Sequence, residues 1–317
     1  NFKPQRWPMG DPRRLSSDKA PTYEQLHKST AVTMSDLDAS LTKAWLITHR
    51  DEPDVRPLFD LALALRPSED LYDLLNDVIV PAVDRVAANP AGCVAMADSK
   101  ALYRPGKGLR HLERGLWAAW AVLGREPATW ADVWDALAPD SGDRRRAIPW
   151  YADYDSPVPL DIDPAELPPL GTALGGRLAG AGVRLMELRS RAVFPEEFNR
   201  RIEQHGSKGA ALSHLTLELI CDVMQPLQTG PISAICDKHG GRTRYGRLLA
   251  EHFPDWLIEI YGEGRRRSDY RFGPPHRRVE FRFQTKAESY LPAALASMAS
   301  KYLRELAMKA LNDFWCR

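Results

Sequence analysis

Short apolar runs alternate with longer stretches at helical spacing along most of this chain, and that alternation does most to limit the folds open to it. Residues 232–236 and 279–283 are runs of the length and composition of buried strands. Residues 210–224 and 292–314 are helical in spacing, the second through Leu295, Met298, Tyr302 and Leu306. Further strands are expected at 92–97, 182–189 and 256–260. Further helices are expected at 71–88, with a kink or break at Pro81, and at 109–123, with Trp117 and Trp120 turned inward. Strands and helices in this alternation predict an α/β domain with helices flanking a mixed sheet.

Two stretches stand apart. Residues 1–40 contain Pro4, Pro8, Pro12 and Pro21 without a sustained apolar period, and read as a weakly ordered lead-in to a domain spanning 41–317. Residues 125–175 are rich in proline and in acidic turns, and are expected to form an insertion carrying Trp150, Tyr151 and Tyr154 over the main domain. With 44% hydrophobic and 27% charged residues, the chain can bury a core and is not disordered throughout.

No apolar run reaches the roughly 20 residues a membrane helix needs. Residues 1–16 lack the apolar stretch of a secretory leader. The four cysteines, Cys93, Cys221, Cys236 and Cys316, are scattered with no CxxC pair, which argues against a disulfide framework and a zinc knuckle. The expected setting is the reducing cytoplasm, away from membranes, and nothing in the sequence points to a protein partner.

The net charge of +1 conceals an asymmetry. From Lys238 onward there are 16 Lys and Arg against 9 Asp and Glu, while the remainder holds 27 against 33. A basic terminal quarter fits either a polyanionic partner or a solvated basic face.

The candidate chemistry lies at strand ends. Asp237 follows the run 232–236, at the kind of position where α/β folds place ligand-binding groups. Glu288 stands between the run 279–283 and the closing helix, so if the two strands are neighbours the carboxylates share one sheet edge. Such a pair would hold Mg²⁺ or Mn²⁺, hard cations that take oxygen ligands. Lys301 and Arg304, three apart on one helix face, would with Lys286 suit phosphate contacts, or form the basic edge of a packed helix. Lys100 in Asp98-Ser99-Lys100 and Lys208 in Gly206-Ser207-Lys208-Gly209 sit at helix or strand starts without Walker A spacing. His239, beside Asp237, suits proton transfer or phosphate contact, or is an exposed loop residue. No GxSxG elbow, HExxH or GxGxxG is present, which disfavours nucleophilic hydrolases and nicotinamide enzymes.

Three ordered segments carry a family resemblance. Lys286-Ala287-Glu288, followed by Ala293-Ala294-Leu295-Ala296-Ser297-Met298-Ala299-Ser300-Lys301 and Arg304-Glu305, resembles the C-terminal signature of type 2 ribonucleases H (ribonuclease HII). Asp98-Ser99-Lys100-Ala101-Leu102 is similar to the family's Asp-Ser-Lys-x-Leu, and helix 210–224 leading to Ile235-Cys236-Asp237 is similar to its helix and strand ending in a catalytic Asp. The resemblance spans about residues 71–317. It implies a ribonuclease H-like mixed sheet flanked by helices, and endonucleolytic, Mg²⁺- or Mn²⁺-dependent cleavage of the RNA strand of RNA–DNA hybrids or ribonucleotide-containing duplexes. It places Asp237 and Glu288 as metal-binding catalytic acids and Lys100, Lys286, Lys301 and Arg304 on substrate phosphates. The family's opening Asp-Glu-x-Gly-Arg-Gly has no glycine-rich counterpart here. Asp51-Glu52, followed by Pro53-Asp54-Val55, is the one Asp-Glu pair before Leu71 and the candidate for its acids. The alternative is a nucleic-acid-binding relative that lost catalysis with that motif.

Overall fold

A four-stranded mixed sheet in the order β5-β8-β7-β6 forms one half of the molecule, where β5 is Ile232–Asp237, β6 Glu259–Glu263, β7 Arg267–Phe272 and β8 Val279–Gln284. The computed structural model describes residues 71–81, 93–103, 106, 108–225, 227 and 230–316, with the backbone of strand β1, Leu41–Thr48. The lead-in 1–40, the pair Asp51-Glu52 and residues 82–88 lie outside the described residues. β5 and β8 run parallel; β8 with β7 and β7 with β6 run antiparallel.

Alternation along these strands separates two faces. Cys236, Tyr270, Phe272, Val279, Phe281 and Phe283 are buried against helices α9, Lys208–Met224, and α10, Gly246–His252, through Leu217, Ile220, Leu248 and Leu249. The opposite face is an ion ladder: Asp269 meets Arg267 and Arg282, and Arg271 meets Glu280. β7, which sequence periodicity did not single out, lies inside the sheet, and the strand expected at 256–260 begins three residues later.

The second half packs around the closing helix α11, Leu291–Trp315. Its core gathers Leu295, Met298, Tyr302 and Leu306 with Leu112, Leu116 and Trp120 of α3, Arg110–Val122. Small residues permit this approach: a β-carbon on Gly115 of α3 would collide with the Met298 side chain. β1 pairs antiparallel with β4, Leu185–Ala192, and lies along α11.

One expectation is corrected. The described part of 71–88, residues 71–81, is not a continuous helix: α1 covers only Leu71–Leu74, a turn follows, and Ile79–Val80 forms β2, pairing in parallel with β3, Val94–Ala95. The β-branched run Val78-Ile79-Val80 before Pro81 favours extended backbone. Residues 125–175 lay Trp150, Tyr151 and Tyr154 against the main core. α4, Trp130–Leu137, closed by a Thr129–Asp132 capping box, buries Trp130 and Trp134 in the main core beside Tyr151. α5, Gly142–Arg146, α6, Pro149–Ala152, and α7, Leu167–Gly180, continue it. Two more helices complete the described chain: α2, Ser99–Leu102, and α8, Pro195–His205, which ends at left-handed Gly206. The architecture is a mixed α/β fold. Among the described residues no helix is long and apolar enough to cross a membrane.

Candidate functional site

β5, which ends at Asp237, and β8, which leads to Glu288, are direct neighbours. Asp237 is paired with Gln284 across the parallel β5–β8 ladder, and Gln284 with Arg267 across the antiparallel β8–β7 ladder, so one row of the sheet reads Asp237–Gln284–Arg267. The ladder continues past the strands: Lys238 N donates to Gln284 O at 3.1 Å and Thr285 N to Arg266 O at 2.9 Å.

β8 then turns sharply. Lys286 has φ of 59°, the only positive φ at a non-glycine among the described residues, and it leads the chain into the 3-10 turn Ala287–Ser289. Side chains rarely tolerate that conformation, and such outliers concentrate where geometry serves function. The turn aims Ala287 N at Asp237 Oδ1, 3.5 Å away. Ala287 is fully buried, whereas Asp237 and Glu288 are half-buried and Lys286 is exposed. The structure thus brings Asp237, Lys286 and the Glu288 segment to one end of the sheet.

The loop after β5 is held from beneath. Ser213 Oγ donates to Gly209 O, so it accepts from His239 Nδ1 at 3.1 Å, while Thr216 Oγ1 lies 3.2 Å from His239 Nε2. Those contacts specify the Nδ1–H tautomer and make His239 a clamp between β5 and α9. His239 N also donates to Tyr245 OH at 3.1 Å, and the Tyr245 ring stacks on Phe283 at 3.7 Å. Lys238 Nζ donates to Ser268 Oγ at 2.8 Å; its partial burial pulls the ammonium pKa below the usual lysine value.

Lys100 is exposed on α2, which docks on α11, the helix that follows the Glu288 turn. Asp98 caps α2 by accepting from Lys100 N at 3.0 Å, and Ser99 Oγ meets Ser297 Oγ at 3.0 Å. Ser297 lies six residues beyond Leu291, about 9 Å along the α11 axis. Lys301 and Arg304 are engaged elsewhere. Lys301 Nζ pairs with Glu305 at 2.7 Å above the Tyr103 ring, and Arg304, only 6% exposed, pairs with the same carboxylate at 2.8 Å. Arg304 is part of the helix packing.

The acids at this sheet end, Asp237 and Glu288, offer only oxygen donors. That chemistry suits Mg²⁺ or Mn²⁺, which use one or two protein carboxylates and complete their shells with phosphate and water. Among the described residues no group of three or more His, Cys, Asp or Glu is placed to hold a metal ion. Asp51 and Glu52 lie outside the described residues.

Sequence reasoning passed over the hairpin joining β6 to β7, whose tip carries Arg265, Arg266 and Arg267 at the same sheet end. Its signal was present: a glycine followed by an arginine run, then Ser268, Tyr270 and Phe272 alternating with charged residues. The chain matches no protein-family model, no curated protein and no solved structure.

Proposed function

We propose that this chain is a cytoplasmic, ribonuclease H-like nuclease of the ribonuclease HII type, which cleaves the RNA strand of RNA–DNA hybrids with Mg²⁺ or Mn²⁺. One observation carries the reading: parallel pairing of β5 with β8 sets Asp237 against the Lys286–Glu288 turn, with Ala287 N 3.5 Å from its carboxylate. The order of the three resembling segments, with Ser99 and Ser297 in contact, supports it further.

In this reading Asp237 and Glu288 would hold the divalent cation through their carboxylate oxygens. The bound cation would supply Lewis-acid stabilisation of the phosphodiester and an activated water. Lys286, two residues before Glu288 and exposed, orients the scissile phosphate by charge. Lys100 steadies the flanking backbone. His239, with both ring nitrogens engaged, positions the Asp237 loop and moves no proton.

The test is cleavage of a labelled RNA–DNA hybrid by the purified chain with Mg²⁺ or Mn²⁺. Cleavage abolished by Asp237→Asn supports the assignment. Absence of cleavage, or cleavage indifferent to Asp237→Asn, overturns it. Salt-dependent hybrid binding without turnover would instead identify a nucleic-acid-binding relative.

A further inference from the structure

We infer that the tip of the β6–β7 hairpin, residues 264–267, is a contact for a nucleic-acid phosphate backbone, extending the site outward from the Asp237–Lys286–Glu288 sheet end. The inference rests on the nucleic-acid reading above but not on catalysis.

The tip is fixed on two sides. Arg266 O accepts from Thr285 N at 2.9 Å, which ties the hairpin to the residue before Lys286. Ser268 Oγ accepts from Lys238 Nζ at 2.8 Å and donates to Thr243 O at 2.6 Å, which ties it to the loop after Asp237. Gly264 N also donates to Ser268 Oγ at 3.4 Å. A hairpin anchored at its base presents its tip as a rigid projection rather than a loose loop.

The charge on that projection is unbalanced. Arg267 is paired with Asp269, which is shared with Arg282; Glu263 accepts from Tyr270 OH and lies 3.7 Å from Arg244. The nearby acids of β6 and β7 are therefore occupied. The Arg265 and Arg266 side chains are exposed and have no hydrogen bond or ion pair with any described residue, and the same holds for the Lys286 side chain. Arg244 is 87% exposed at its side chain. Adjacent like charges on a short turn repel one another, and turn chemistry alone favours Gly, Asn or Asp there. A repeating anion relieves that repulsion. Guanidinium groups pair with phosphate oxygens in two-pronged fashion, and phosphate contacts fix register without reading sequence. Placed in the row Asp237–Gln284–Arg267, the tip would hold the duplex to one side of the point of cleavage.

The experiment measures binding of a fluorescent RNA–DNA hybrid and a DNA duplex in EDTA, across a salt series, for the wild-type chain and for Arg265→Ala/Arg266→Ala. Loss of two phosphate contacts lowers the magnitude of the log–log salt slope by about 1.8, so the variant's deficit shrinks about tenfold between 50 and 200 mM salt. Both duplexes are expected to be affected alike. Arg265→Lys/Arg266→Lys, which keeps the charge, is expected to retain the slope, and Arg200→Ala, remote on α8, to change neither quantity. Wild-type binding with an unchanged slope in the double alanine variant overturns the hairpin inference and leaves the proposed function standing. Binding that depends on the arginines without any cleavage in metal supports the inference while the nuclease reading fails. No binding by the wild type overturns both. Competition by polyglutamate as strong as by DNA at equal charge assigns the tip to an acidic protein and overturns the nucleic-acid contact.

Discussion

Ser99 and Ser297, 198 positions apart, meet through their hydroxyls at 3.0 Å, and Ser99 N also points at Ser297 Oγ at 3.4 Å. Both residues are buried, so this small polar contact docks α2, with Asp98 and Lys100, onto the closing helix that Glu288 introduces. Truncating one partner leaves the other short of a bond, which costs about 1–3 kcal/mol. Ser297→Ala is expected to lower the unfolding free energy within that range. Ser99→Ala/Ser297→Ala should cost less than the two single changes summed, as read by urea titration. Strict additivity would show that the hydroxyls are not coupled.

Asp237→Asn and Glu288→Gln remove one negative charge each without altering side-chain size. If these acids hold the cation, hybrid cleavage falls by more than the roughly 10–100-fold typical of residues that merely support a ligand. Thermal stability without metal should hardly change, because both groups are half-buried at the molecular surface. Retained cleavage with a lowered melting temperature would assign them a structural role instead.

The left-handed Lys286 offers a separate measurement. A side chain there costs about 1–2 kcal/mol, part of which glycine recovers before paying chain entropy of up to about 1 kcal/mol. Lys286→Gly is therefore expected to be at least as stable as wild type within about 1 kcal/mol, yet weaker in hybrid binding. Lys286→Val, with a branched β-carbon, should lower stability by about 1–2 kcal/mol. Equal stability of all three would mean that the turn relaxes.

Acid sensitivity should come from three helices meeting at histidines. His205, ending α8, stacks on His214 of α9 at 3.8 Å, and His214 Nδ1 lies 3.1 Å from His252 Nε2 at the end of α10. Glu251 Oε2 is 3.9 Å from His214 Nε2, and Glu218 is engaged by Arg191 and Arg201. Burial first, and then the neighbouring imidazoles, depress the pKa of His214 and His252 below the ordinary 6.5. The unfolded chain therefore takes up protons first as pH falls. No penalty exists well above 6.5, and stability is lost progressively below it. Melting temperature should drop between about pH 7 and pH 5, less steeply in His214→Phe. An identical profile in that variant would remove the cluster as the cause.

Legibility followed residue chemistry. The β5 and β8 runs, the closing helix and the inward Trp117 and Trp120 were readable because uninterrupted apolar spacing admits one interpretation there. The stretch from Leu71 was misread because Leu71, Leu74, Leu75, Val78 and Ile79 fit helical spacing equally well, while the preference for extended backbone lay in the β-branched run before Pro81. Trp130 and Trp134, four apart, signalled a buried helix beneath the proline-rich composition. Neighbourhood of Asp237 with the Glu288 turn depended on strand order, which no local pattern encodes. The histidine meeting point was equally hidden, since its members belong to three separate helices.

Asp237 follows the sheet's hydrophobic cluster at Cys236, whereas Leu291, just beyond Glu288, belongs to the cluster around the closing helix. The carboxylate pair thus straddles a seam between two separately packed interiors. Its spacing is a mechanical property of how those interiors seat on one another. Enlarging or hollowing either one, at Phe281 or at Leu303, would detune the distance between the acids while each interior still held together.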